Sequence, residues 1–357
     1  MKIGIIAHLK HPIRTPFLGG LEAFTYDVSK RLIARGHEVI LFASSKSDPL
    51  LNVYPILNDD SYDDITGYRE KRPNLSSEYM AEHHAYMELM QHIDTLGLDV
   101  IFNNSLHYVP ITMAGMISTP MLTVLHTPPF FELKNAVELE RRQAGITYVT
   151  VSARNAENWK TYTDECMVIH NGIDLESWTY YAAAQQGDYA VWFGRIHPDK
   201  GTHLAIEAAK LAGIPLKIAG SVADEKYFKT QVDPLLDGLI EYVGHKSHQE
   251  LNFLIGNACV SLITPVWEEP FGLVVAESMA CGTPVAGFAV GALPQLVTAD
   301  TGALARAGDV KDLASVITAA RQKKRSACRA HAERNFSVET MITAYEDQLA
   351  QLVNVFQ

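Results

Sequence analysis

Two short segments in the second half of the chain combine residue types that could hold an anion flanked by hydroxyl groups. Phe193-Gly194-Arg195-Ile196-His197-Pro198-Asp199-Lys200-Gly201 puts a guanidinium and an ammonium on one loop after an apolar run, which suits a diphosphate. Glu269-Pro270-Phe271-Gly272-Leu273-Val274-Val275-Ala276-Glu277 brackets an expected helix start with two carboxylates. Unpaired amides and the positive end of the helix dipole would collect phosphate near Phe271, Gly272 and Leu273. Ionised carboxylates only accept hydrogen bonds, so Glu269 and Glu277 fit hydroxyls on either side of that phosphate. Eight residue steps at helical rise span roughly 12 Å, an upper limit because Glu269 precedes the helix. That span suits a hexose at one end and a ribose at the other. Alone, the first segment reads as a solvated turn and the second as exposed helix charge. Together, each between an apolar strand and a helix, they read as one binding site.

Such a site needs a scaffold, and the apolar runs supply one. Val- and Ile-rich runs at Ile3 to Ala7, Val39 to Ala43, Val100 to Phe102, Met121 to Leu125, Tyr148 to Val151 and Met167 to Ile169 form a first series. Tyr189 to Phe193, Leu216 to Ala219, Ile240 to Val243, Cys259 to Ile263 and Val285 to Phe288 form a second. Strands alternating with helices mean parallel sheets covered on both faces, and two series mean two doubly wound α/β domains. Between them, Leu21, Phe24, Val28 and Leu32 keep helical spacing before Gly36. Ser247-His248-Gln249-Glu250 has the form of a capping box, Thr202 is expected to cap the helix that ends before Gly213, and Asp309 to cap one carrying Leu313, Val316 and Ile317. The domain boundary is expected after Asn171-Gly172-Ile173-Asp174, in the stretch to Asp188.

Composition narrows the function. With 357 residues, 47% hydrophobic and 20% charged, the chain has the length and make-up of two globular domains. A formal net charge of -11 argues against wrapping nucleic acid and weakens docking on an anionic membrane. No stretch approaches the ~20 apolar residues that cross a bilayer, and the first apolar run is too short for a signal-peptide core. Cys166, Cys259, Cys281 and Cys328 include no C-x-x-C pair, so neither a zinc site nor a disulfide framework is expected, and the reducing cytoplasm is the expected location. Asp59-Asp60-Ser61-Tyr62-Asp63-Asp64 reads as a solvated acidic loop, and Arg321-Gln322-Lys323-Lys324-Arg325 as a solvated helix end, a basic membrane-facing patch being the sharper alternative. Lys10, His11 and Arg14 read as a mobile basic loop rather than an anion site.

The pair G-R-x4-K-G and E-x7-E resembles the signature of the retaining, GT-B type glycosyltransferases of family four. The resemblance runs nearly end to end, through Gly19-Gly20-Leu21-Glu22, His126, Asn171-Gly172-Ile173-Asp174 and Met279-Ala280-Cys281-Gly282-Thr283-Pro284-Val285. It implies two Rossmann-like domains facing each other across a cleft: an acceptor-side domain over residues 1–178 and a nucleotide-sugar domain over 187–337. A final helix at about 338–357 should pack back on the first. By the same resemblance Glu277 would bind ribose hydroxyls and Glu269 a donor-sugar hydroxyl. His126 would orient the sugar near the reacting carbon, Gly19 and Gly20 would meet diphosphate or acceptor by backbone, and Tyr242, Val243 and Gly244 would contact the base. Arg195, Lys200 and the helix start can neutralise charge on the departing phosphate, so no metal and no further cofactor is expected.

The implied reaction moves a hexose, from a UDP-sugar by family preference, to a saccharide, lipid-linked or small-molecule acceptor. Surface glycan, glycolipid or glycoside synthesis is the expected setting, with at most weak peripheral membrane contact. Two departures stand out: Gly291-Ala292 replaces the paired glycines of many relatives, and no carboxylate of the first domain stands out as a covalent nucleophile. Retention is therefore implied by resemblance alone, through a same-face route in which the departing phosphate helps take the acceptor proton.

Other classes fit less well. A dinucleotide-dependent oxidoreductase needs G-x-G-x-x-G after its first strand, and a P-loop needs Gly before the Lys and Ser or Thr after it; both are missing. A sugar-nucleotide epimerase, a glycan phosphorylase and a non-catalytic donor-binding regulatory subunit share the scaffold and are separable by product assays. A sugar-binding protein without turnover would normally be exported, and no signal peptide is read. Base, hexose, linkage, acceptor and oligomeric state are left open by these residues.

Overall fold

The computed structural model describes residues 1–17, 19–58, 77–141, 145–184 and 188–356; the Asp59–Asp64 cluster lies outside the described residues. The chain divides into two compact units, one comprising Met1–Val151, Ala156–Ile169 and Ile342–Gln357, the other Ser152–Asn155 and His170–Met341.

The first unit is built on a parallel sheet of β1 (Lys2–Ala7), β2 (Glu38–Ser44), β3 (Val53–Leu57), β4 (Val100–Asn104), β5 (Met121–Leu125), β6 (Ile146–Thr150) and β7 (Met167–Val168), in the order β3-β2-β1-β4-β5-β6-β7. Its inner strands are buried along their length: Ile3, Ile5 and Ile6 are inaccessible to solvent, as are Val100, Ile101 and Phe102. Strands covered on both faces lose apolar surface whichever way a side chain points, which explains near-continuous hydrophobic runs rather than alternation. One face is closed by the helix Ser77–His92 through Ala85, Tyr86, Leu89 and Met90. Tyr345, on the helix Val338–Phe356, packs edge-on against Phe24 and Phe102 at centroid distances of 5.8 and 5.2 Å. Strand β3 escapes the sequence pattern because it is an edge: Pro55, which cannot donate to a ladder, and the half-exposed Tyr54 are tolerated only there.

The second unit carries β8 (Ala190–Phe193), β9 (Leu216–Ala219), β10 (Ile240–Gly244), β11 (Val260–Ile263), β12 (Val285–Phe288) and β13 (Gly302–Ala305), all parallel, in the order β10-β9-β8-β11-β12-β13. Its core joins Trp192, Ile218 and Leu262 of the sheet to Ile206, Leu313 and Ile317 of the helices Thr202–Ala212 and Val310–Ala320. Strand β13 was hidden by its small residues, Gly302-Ala303-Leu304-Ala305, which carry little β preference.

Local signals mostly act as their chemistry dictates. The Ser247 hydroxyl accepts from Glu250 N while Ser247 N donates to the Glu250 carboxylate, a complete capping box. Asp309 accepts from Asp312 N at 3.0 Å. Thr202 does not cap its helix; it is the first helical residue, and Gly201 in left-handed conformation is the cap. Nor is 321–325 a solvated basic run. Arg321 pairs with Asp188, and Arg325 turns inward to donate to the carbonyls of Tyr181, Gly256 and Ala258 at 2.7, 2.6 and 2.9 Å. Among the described residues no helix is long and apolar enough to cross a membrane.

In each sheet the strand order reverses once, between β1 and β4 and between β8 and β11. Connections diverge at such a point and leave a crevice outside the carboxyl ends of the two strands.

Candidate functional site

In the second unit both sequence motifs end at this switch point. The loop carrying Arg195 and Lys200 follows β8, and Thr264 to Glu269 follows β11, its hydrogen-bonded neighbour. Backbone and side-chain bonds lash the two together. Val266 N donates to Asp199 O at 2.8 Å, and the Thr264 hydroxyl lies 3.0 and 2.9 Å from the carbonyls of Lys200 and Gly201. Trp192, rising from β8, donates its indole N–H to Thr264 Oγ1 at 3.1 Å.

This lashing brings Lys200 onto Glu269, Nζ to Oε2 at 2.6 Å, and the indole N–H of Trp267 donates to the same oxygen at 3.1 Å. The ammonium also sits 5.2 Å from the Trp267 ring centroid, in the range of a cation–π contact. Glu269 Oε1 has no such partner among the described residues and faces its next bond unclaimed. The adjacent carboxylate is committed elsewhere: Glu268 takes a two-pronged pair from Arg154 of the same unit, both arms 3.0 Å. That pair, hydrogen bond first, holds the Glu268 carboxyl below its usual range. Arg195 is exposed and makes no ion pair among the described residues, leaving its guanidinium available.

Gly272 opens the helix Leu273–Ala280 with φ +93°, a left-handed cap that a side chain would strain. Val275 N already donates to Gly272 O at 2.9 Å, but the amides of Leu273 and Val274 at the helix start have no intrahelical acceptor and can face an anion beside Lys200 and Glu269. The helix is held from behind. Arg329 donates to the Ala280 carbonyl at 3.0 Å and Arg325 to that of Cys281 at 3.3 Å, cations placed at the negative end of the dipole. Phe271 is core, edge-on to Phe336, so only its backbone can face a ligand. Glu277, one turn further along the helix, is partly buried, and desolvation pushes its carboxyl up to about 7.

The departure at Gly291-Ala292 has a structural answer. A Cβ on Gly291, φ +58°, would run into the Glu269 backbone, and Ala292 N donates to Glu269 O at 2.9 Å. One glycine makes the close approach; its neighbour is buried and needs none. Tyr242, Val243 and Gly244 end β10, two strands out from β8, where Tyr242 donates its hydroxyl to Gly220 O at 2.8 Å. They share the sheet edge but do not join the Lys200–Glu269 cluster by any hydrogen bond among the described residues.

In the first unit, Gly19 is the extended N-cap of the helix Gly20–Ala34, following the loop after β1. A Cβ on Gly19 would fall 2.8 Å from Glu22 Oε2. Glu22, almost wholly buried, contacts His8 Nε2 at 3.1 Å. Burial opposes ionisation of Glu22, but the His8 hydrogen bond and charge prevail and its carboxyl lies below the usual range. His126 ends β5, and its Nε2 bonds the side-chain oxygen of Asn104 at the end of β4. The Asn104 amide donates to Thr25, whose hydroxyl donates to Leu21 O at 2.9 Å. This chain fixes the proton of His126 on Nε2 and leaves Nδ1 as an acceptor. Burial first, then the proximity of His8, lowers the imidazole to about 3, so it is neutral at pH 7. Sequence reasoning missed His8, Asn104 and Trp267. His8 carried the signal that marked His126, a polar residue directly after an apolar strand. Among the described residues no three His, Cys, Asp or Glu side chains gather as a metal-binding group.

Two family profiles match the chain, Glycosyltransferase Family 4 over residues 18–177 and Glycosyl transferases group 1 over 181–335. A glycogen synthase of Mycobacterium tuberculosis is 26% identical over 92% of this chain and 90% of its own. A D-inositol 3-phosphate glycosyltransferase of Mycolicibacterium smegmatis is 30% identical over 42% of this chain and 38% of its own. In fold, the chain is similar to Anabaena HepE, crystallised with UDP and glucose, at TM-score 0.75 and 22% identity over 98% of this chain and 100% of that one. With both sequence motifs seated at the switch point of a doubly wound sheet, and the two profiles together taking in most of its length, the chain belongs to the GT-B glycosyltransferases of family four.

Proposed function

We propose that this glycosyltransferase moves a hexose from a UDP-sugar, UDP-glucose first, to an acceptor hydroxyl with retention at the anomeric carbon. One observation carries the reading: Lys200 and Glu269 meet at 2.6 Å beside the amide end of the helix Leu273–Ala280. Diphosphate at this point faces Lys200, the unpaired Arg195 and the first-turn amides, which stabilise the charge that grows as the glycosidic bond breaks. These fixed positive groups do the work that a metal ion does elsewhere, and no metal requirement is expected. Glu269, its Oε2 anchored by Lys200 and Trp267, presents Oε1 to a hydroxyl of the sugar. Glu277 accepts from the ribose at the far side of the diphosphate. In the first unit, neutral His126 keeps Nδ1 as an acceptor for a hydroxyl; it orients and does not attack.

The solved complex of Anabaena HepE with UDP-glucose supports this choice of donor. A direct test is calorimetric titration with UDP-glucose in the presence of a chelator, followed by NMR of the products with a sugar acceptor. Binding without metal and an axial new linkage are expected. Absence of UDP-glucose binding sinks the donor assignment; conversion of the donor sugar without acceptor, or a need for inorganic phosphate, makes the chain an epimerase or a phosphorylase.

A further inference from the structure

The turn that carries Glu269 is also held by contacts that no ligand uses. Ser152 and Arg154 belong to the second unit, although the chain on both sides, Met1–Val151 and Ala156–Ile169, belongs to the first. Ser152 directly precedes the helix Ala153–Trp159 and acts as its N-cap: the hydroxyl accepts from Asn155 N at 3.1 Å. The same hydroxyl donates to Pro270 O at 2.6 Å. Ser152 is inaccessible to solvent, so water cannot take over either bond. Its one proton goes to Pro270, and the bond it accepts from Asn155 sets the direction of that proton.

Pro270 stands directly after Glu269 and two residues ahead of the cap Gly272. Its carbonyl precedes the helix Leu273–Ala280 and has no place in that helix's ladder of bonds, so it needs a donor from elsewhere. Ser152 is that donor. The helix start has its own anchor in Phe271, which is buried and edge-on to Phe336 at 5.9 Å. Glu269 and Pro270 lie ahead of that anchor and depend on other ties. One is Ala292 N, which donates to Glu269 O at 2.9 Å. Another is Arg154 on Glu268, but both side chains are 45% exposed, and ion pairs open to water hold little. The bond from Ser152 to Pro270 is shielded and holds more.

A carboxylate that orients a sugar must be placed finely, since a shift of about 1 Å can lower a rate roughly a hundredfold. Lys200 and Trp267 set the carboxylate of Glu269, while Ser152 and Ala292 set the backbone from which it hangs. We propose that Ser152 is a positioning residue for transfer: its hydroxyl fixes Glu269 through the Pro270 carbonyl and meets no ligand itself. The inference rests on the donor reading above, and the experiment separates the two.

Two variants divide the hydroxyl's two tasks. Ser152→Ala removes both bonds; Ser152→Gly also removes both but leaves a residue that caps helices almost as well as serine. A helix cap alone would make alanine harmful and glycine harmless, whereas a hold on Glu269 makes both harmful. Turnover is read as UDP released from UDP-glucose with water as acceptor, and affinity by calorimetry with UDP. Local opening is read by hydrogen exchange over residues 265–271 of the ligand-free protein. In both variants turnover is expected to fall about tenfold, UDP affinity to stay within about twofold, and exchange over 265–271 to quicken. Wild-type turnover or wild-type exchange in Ser152→Gly overturns the proposal, as does a loss of UDP affinity as large as the loss of turnover. Failure of the wild type to bind UDP-glucose would instead bring down the donor reading, and the exchange measurement would still decide whether Ser152 holds this turn.

Discussion

The two switch points share an architecture and differ in charge. At β8 and β11 the edge is built from ionised groups: Lys200 on Glu269, Arg195 unpaired, and a helix N-terminus. At β1 and β4 it is built from imidazoles held neutral by burial, His126 at about 3 and His107 at about 4, with Glu22 as a carboxylate already bonded to His8. A doubly wound sheet supplies a crevice in either case. What the crevice can hold is decided by the few residues directly after each strand. On the proposed reading, the charged edge takes the diphosphate of the donor.

The contrast is most exposed to attack at Lys200. Lys200→Ala removes a charge from the phosphate seat and leaves Glu269 partly buried without its cation. Losing charge-assisted hydrogen bonds of this kind is expected to weaken UDP-glucose about 100-fold, at ~2.7 kcal/mol, as read by calorimetry. An affinity within a few-fold of wild type would mean that this edge does not hold the diphosphate. Arg195→Ala, which breaks no ion pair, should cost less, about tenfold.

His126→Ala probes the other side. Loss of one neutral hydrogen-bond acceptor should lower kcat by about tenfold while UDP affinity stays at the wild-type value. Equal losses in both quantities would place His126 in nucleotide binding and erase the distinction between the edges. The affinity measurement guards against a merely unfolded variant.

How far residues alone foretell this depends on what kind of signal each leaves. Strands β1, β4, β8 and β11 are legible because burial on both faces favours largely apolar runs; β3 and β13 are not, since an edge tolerates Pro55 and Gly302. Lys200 and Glu269 are legible through spacing, although they lie 69 positions apart, because each stands next to a recognisable strand and helix start. Asn104 and Trp267 are not: an amide after a strand and an indole in a loop are common, and only the third dimension puts one on His126 and the other on Glu269. Arg325 was misread for the opposite reason. It sits in a basic run, but three carbonyl oxygens within 3.0 Å make burial cheaper for it than solvent.

The smallest expected effect is a pH dependence confined to one edge. Burial lifts the Glu277 carboxyl from its ordinary value to about 7. Between those two values the folded chain keeps a proton that the unfolded chain has released, so stability contributed by this group falls as pH rises through the window and is level outside it. Ligand affinity should run the other way. Only the ionised carboxylate accepts from both ribose hydroxyls, so UDP-glucose should bind several-fold more tightly at pH 8 than at pH 6, about a factor of five. UDP-glucose is the proper probe because its diphosphate has no proton to lose in this range, whereas free UDP has. In Glu277→Gln both slopes should vanish. At the neutral edge, His126 and His107 titrate well below the range and should add no inflection to kcat between pH 6 and 8. A slope that survives in Glu277→Gln would belong to another group, and if His126→Ala removed it, the imidazole edge would be the one that carries charge.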